Sequence, residues 1–164
     1  KSSLKLSARS GKMKKKTKIA ITVSAVIIAV VAALVIWDEP RKKVEFIIEK
    51  VAIEKVTNAY FKAEMKRDFK QVYAYLAPSS TYRKTHSYEQ FLKDVGNSPV
   101  RIETYNIVDI HRLRDNDNRE NYPLVDKFVQ VEVDVDIRFT DTGAKSTCNY
   151  SFTFLKEKGI WYKG

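Results

Sequence analysis

The sequence predicts an α+β protein: one N-terminal transmembrane helix, then three helices, then a curved antiparallel β-sheet. Three observations carry the prediction. An uninterrupted apolar run occupies Ile19 to Trp37. Apolar residues then recur at helical spacing up to Val95. After Pro99 the hydrophobic period falls from about 3.6 residues to 2.

The apolar run, IAITVSAVIIAVVAALVIW, holds nothing more polar than Thr22 and Ser24. At about 1.5 Å per helical residue it spans roughly 28 Å, close to the ~30 Å hydrocarbon core of a bilayer. The tail before it, residues 1–18, carries eight basic and no acidic residues. Beyond the run, basic and acidic residues are mixed. Because orientation follows basic residues, the tail is expected in the cytoplasm and the rest across the inner (cytoplasmic) membrane, with Trp37 at the outer interface. A cleaved signal peptide starting at Met13 would show the same charge order. Its apolar stretch would exceed the usual roughly 7 to 15 residues, and the small-residue site Val31-Ala32-Ala33 is followed by still apolar chain. An uncleaved signal anchor is therefore expected.

The chain has 30 basic and 20 acidic residues, a net charge of +10. Eight of the basic residues lie in the tail, so from Ile19 onward 22 oppose 20. The simple partner for Lys12, Lys14, Lys15, Lys16 and Lys18 is the anionic inner leaflet, at about 1 kcal/mol per basic residue. No base-reading motif accompanies them, and no nucleic-acid partner is expected. Cys148 is the only cysteine, so no intrachain disulfide can form. Its alternation with Tyr150, Phe152 and Phe154 predicts a buried small hydrophobe.

Residues 38–164 are the size of one domain. Pro40 ends or bends the span, and Arg41 to Arg67 reads as a long amphipathic helix with Ile48, Val51, Ala52, Val56, Ala59, Tyr60 and Ala63 on its apolar stripe. Asp68 caps a second helix, with Phe69, Val72, Tyr73 and Leu76 inward and Pro78 beyond its end. Ser87 caps a third, Gln90 completing a capping box and Tyr88, Phe91, Leu92 and Val95 facing inward.

Arg101 to Leu113 reads as a strand and Arg114 to Asn121 as an exposed loop. From Phe128 to Thr140, Val129, Val131, Val133, Val135, Ile137 and Phe139 alternate with Gln130, Glu132, Asp134, Asp136 and Arg138. A sheet covered on one side produces that pattern. Asp141 to Gly143 makes a hairpin turn, Lys145 to Lys158 returns, and Gly159 permits a reversal into Ile160-Trp161-Tyr162.

The order of elements, the segment Ala63-Glu-Met-Lys-Arg-Asp-Phe69 leading into Val72-Tyr-Ala-Tyr-Leu76, the helix Ser87-Tyr-Glu-Gln-Phe91 and the terminal Gly159-Ile-Trp-Tyr resemble the nuclear transport factor 2-like superfamily. The resemblance covers Arg41 to Gly164 and speaks to fold rather than activity. It implies three helices packed into the concave side of a bent sheet, forming a cone. Membrane-anchored bacterial envelope proteins of this type, among them the scaffold subunit of type IV secretion systems, share the layout. It also implies that the outer sheet face can pair with a second copy, which here would make a polar, salt-sensitive homodimer.

An enzymatic cone needs a general base inside it. The candidates are Asp109 and His111 on the first strand, with Tyr60 and Tyr73 as hydrogen-bond donors to a ligand; the plain alternative is an exposed Asp-His pair, and which face points inward stays open. His86 reads as solvated. Glu132, Asp134 and Asp136 line one strand but are ~7 Å apart with no partner loop, which favours a solvated face over a metal site. Asp115-Asn-Asp-Asn118 begins like a calcium loop but lacks its Gly and closing Glu. No Gly-rich phosphate cradle, Ser-His-Asp signature or paired-Cys motif occurs, so no metal or cofactor is expected. The expected function is a non-enzymatic single-pass membrane protein whose extracytoplasmic cone binds a protein partner or scaffolds an envelope complex. The rival is a membrane-tethered small-molecule-binding or enzymatic cone.

Overall fold

The computed structural model describes residues 19–33 and 38–164. The chain divides into two units, Lys1–Ile47 and Ile48–Gly164. In the first, residues 19–33 form helix α1, exposed along most of its length. Among the described residues no helix is long and apolar enough to cross a membrane. The expected span, 19–37, ends in Leu34–Trp37, which lie outside the described residues, as do Lys12, Lys14, Lys15, Lys16 and Lys18.

The elements that follow are α2 (Asp38–Lys66), α3 (Phe69–Tyr75), α4 (Thr81–Thr85), α5 (Tyr88–Gly96), β1 (Val100–Asp115), β2 (Val125–Phe139), β3 (Lys145–Glu157) and β4 (Ile160–Lys163). This is an α+β fold with helices packed on a four-stranded antiparallel sheet of order β1-β2-β3-β4.

Local chemistry places the element ends. The Asp68 side chain accepts from Gln71 N at the start of α3, and Ser87 and Gln90 close a reciprocal capping box on α5. The short α4, capped by Ser80, is an addition to the three expected helices, since five residues show no period. At the β2–β3 turn Gly143 has φ +71°, and at the β3–β4 turn Lys158 and Gly159 have φ +50° and +80°. Two successive positive-φ residues suit a tight hairpin whose twist matches its strands.

The core lies between α2 and one sheet face. Val129, Val131, Val133, Val135 and Ile137 are all buried, as the alternation predicts. From β1 Tyr105 and Ile110 and from β3 Phe152 and Phe154 join them, and Phe61 of α2 stacks on Tyr105 at 4.9 Å and meets Phe152 edge-on at 5.5 Å. A smaller apolar cluster of Ala77, Val125, Phe128 and Leu155 sits where the chain after α3 runs along β4, with Leu76 bridged to Lys163 and Ala77 N donating to Lys163 O at 2.7 Å. This covers the β4 edge, which would otherwise present unpaired backbone.

Two expectations are corrected here. The buried stripe of α2 runs through Ile53, Thr57, Tyr60, Phe61 and Ala63, while Ile48 and Val51 are about two-thirds exposed. The helix carries apolar residues on two opposite sides, so periodicity alone merged them. Cys148 is only half-buried and Tyr150 exposed: β4 pairs with β3 only from Phe154 to Glu157, which leaves this part of β3 at the edge of the sheet.

Candidate functional site

The C-terminal end of α2 brings chemistry together. Tyr60, buried on the sheet side, donates its hydroxyl to Glu64 Oε1 at 2.7 Å, one helical turn on. The Lys163 ammonium, from the last strand, lies 5.9 Å above the Tyr60 ring and 5.5 Å above the Phe152 ring. Burial, reinforced by the neighbouring Glu64 carboxylate, raises the Tyr60 phenol well above its ordinary value. Burial lowers the Lys163 ammonium, which Glu64 partly restores. The group therefore holds a protonated phenol against a carboxylate, with a cation over two rings.

Glu64 also opens onto a groove of about 300 Å³ between the ends of α2 and α5 and the start of β1. Met65, Phe69, Val95, Val100 and Ile102 supply apolar walls, and Arg67 and Arg101 supply positive charge. Arg67 ends α2 in the left-handed region at φ +55°. Its N–H donates to Glu64 O and that of Asp68 to Ala63 O, both at 2.9 Å, the paired bonds of a Schellman helix end. Glycine ordinarily takes this position, and a non-glycine residue there costs about 1 to 2 kcal/mol. The Arg67 guanidinium is held 4.6 Å over the Phe69 ring at the groove wall.

The predicted residues fall in different places. Tyr60 is in the group just described. Tyr73 is in the helix layer, where it donates to His86 O at 3.0 Å and packs on Tyr88 and Phe91. Asp109 and His111 lie on the sheet face away from α2. A bulge between Ile107 and Asp109 breaks the alternation, so Ile107 and Ile110 pair with Val133 and Val131 on the core face while Asp109 and His111 pair with Glu132 and Gln130. Asp109 Oδ2 is 3.4 Å from His111 Nδ1, and that buried nitrogen has no hydrogen-bond partner. His86 is half-buried, its ring stacked on Tyr82 at 4.3 Å.

The acidic residues of the outer sheet face are engaged by neighbours. Asp136 accepts from Thr104 and Thr147, Asp134 from Asn149, and Glu103 pairs with Arg138 and Lys145. Asn116 fills the loop that begins like a calcium site, donating to Tyr122 O and Val125 O. Among the described residues no group of acidic, His or Cys side chains is arranged to hold a metal ion.

Sequence reasoning found Tyr60 but not Glu64, Arg67 or Lys163. The four-residue spacing of Tyr60 and Glu64 was a usable signal; Lys163 meets them only through the sheet. Compared with known proteins, the sequence matches no family model and no curated protein.

Proposed function

We propose that this chain is a non-enzymatic single-pass protein of the inner membrane, with its basic tail in the cytoplasm and a nuclear transport factor 2-like cone outside that binds a protein partner in an envelope assembly. The observation that carries the reading is the filling of the helix-covered face. Phe61, Phe154, Ile53, Val129, Val131, Val133 and Val135 are each at most 2% exposed. A cone that receives a small molecule keeps a cavity there; one plugged by its own side chains offers its outside. The groove at Arg67 and Arg101 suits a partner's apolar anchor flanked by a carboxylate, since desolvated apolar contacts with an arginine beside them make strong interface positions.

A photocrosslinking residue in place of Met65, in the full chain in native membranes, tests this. The same envelope protein should be captured repeatedly, and the adduct should weaken when Arg67 and Arg101 are both replaced by Glu. An adduct unaffected by that double change, or none at all, contradicts the reading.

The Tyr60–Glu64–Lys163 group supports a second reading, a tethered domain that binds a small acidic molecule at the rim beside Lys163. Loss of binding in Lys163→Met would identify it.

A further inference from the structure

The outward side of α2 in the second unit is neither polar throughout nor covered. Helical steps of about 100° place Ile48, Val51, Lys55, Lys62 and Lys66 on one side, opposite the buried Ile53, Thr57, Tyr60 and Phe61. All five are exposed, Ile48 and Val51 at 67% and 68%. The acidic residues of this stretch are turned elsewhere. Glu49 is bound by Lys156 and Trp161, Glu64 by Tyr60, and the half-buried Glu54 lies at the strip's edge. An apolar start continued by three lysines is thus presented outward, on the side away from the sheet.

We infer that this strip lies on an anionic bilayer surface, Ile48 and Val51 entering the headgroup region and Lys55, Lys62 and Lys66 meeting lipid phosphates. Apolar residues interleaved with lysine on one helix face are the composition of interfacial helices. Charge decides between occupants. Two copies anchored in one bilayer run parallel, which would set Lys55 against Lys55 and Lys62 against Lys62, whereas an anionic surface attracts every lysine. Each lysine near such a surface strengthens partitioning about fivefold. The inference rests on the anchored reading of residues 19–37, since only ten residues of chain separate Trp37 from Ile48.

The test uses the full chain in vesicles of phosphatidylcholine with one-quarter phosphatidylglycerol, and in pure phosphatidylcholine. With Cys148 replaced by Ser, an environment-sensitive fluorophore is attached to Val51→Cys or, on the outer sheet face, to Ser151→Cys, and quenched by a lipid-borne quencher. The label at 51 should be quenched in the anionic vesicles, several-fold less in the neutral ones and in the Lys55→Glu, Lys62→Glu, Lys66→Glu variant, while the label at 151 stays in water. A label at 51 equally accessible to water in both vesicles overturns the inference. So does one shielded from water and lipid quencher alike but self-quenched, which would mean that a second copy covers the strip. Flotation in alkaline carbonate separates the two claims. A chain that stays with the vesicles while its label is in water fails the strip and keeps the anchor; one stripped by carbonate yet quenched at low salt only in anionic vesicles fails the anchor and keeps the strip.

Discussion

The indole N–H of Trp161, at the last strand, donates to the Glu49 carboxylate of α2 at 2.8 Å. Lys156, the strand partner of Trp161, holds the other Glu49 oxygen at 2.5 Å. One carboxylate thereby ties the long helix to the C-terminal hairpin. Burial would raise the Glu49 carboxyl, but the two hydrogen bonds and the charges of Lys156 and Lys127 outweigh it and hold the value below the ordinary 4.5.

The sign of the pH dependence follows. A depressed folded value means that Glu49 contributes its stability above the ordinary carboxylate range and loses it as pH falls through the folded value, below 4.5. Glu49→Gln should cost about 1 to 2 kcal/mol at neutral pH and flatten the acid loss in this window. Urea unfolding of the micelle-solubilised chain between pH 3 and 7 measures both. An unchanged acid slope would refute the assignment.

Thr57 is fully buried and its Oγ1 has no hydrogen-bond partner. An unpaired buried hydroxyl carries a desolvation penalty that a methyl of the same shape does not. Thr57→Val should therefore raise stability by about 1 kcal/mol, against the usual direction of core substitutions. A loss of stability would mean that the hydroxyl is satisfied.

Arg67 is the strained end of α2. Arg67→Gly should relieve about 1 kcal/mol of backbone strain, offset in part by the lost contact with Phe69. If the groove binds a partner, the same change weakens that binding while leaving the fold at least as stable. Unfolding midpoints read beside crosslink yield at Met65 separate the two effects.

These residues mark what the sequence could and could not disclose. Val129 to Ile137 were legible because their strict alternation meets a sheet covered on one side, and Ser87 with Gln90 because a capping box is local. The bulge after Ile107 was not legible. It alters register without any marker residue, and it turned Asp109 and His111 to the other face. Arg67 carries no glycine signal, and the two-sided apolar pattern of α2 hid Ile53 and Phe61 among Ile48 and Val51. Of the site, Tyr60 was legible from helical spacing; Lys163 is added by β4 pairing.

The outer sheet face bears on self-association. Asp134, Asp136 and Glu103 are already bound within the chain, so a dimer through this face would be polar and weak. Sedimentation of residues 41–164 should show any dimer at low salt dissociating at high salt. A salt-independent dimer would point to an apolar interface.

Everything proposed for function depends on one membrane separating the tail from the folded domain. With Cys148→Ser, single cysteines at Ser10 and at Ser151 can be treated with a membrane-impermeant maleimide in intact cells and after permeabilisation. Modification at 151 in intact cells, with 10 modified only after permeabilisation, is the predicted result. Equal modification of both positions in intact cells, or protection of both, would contradict the account.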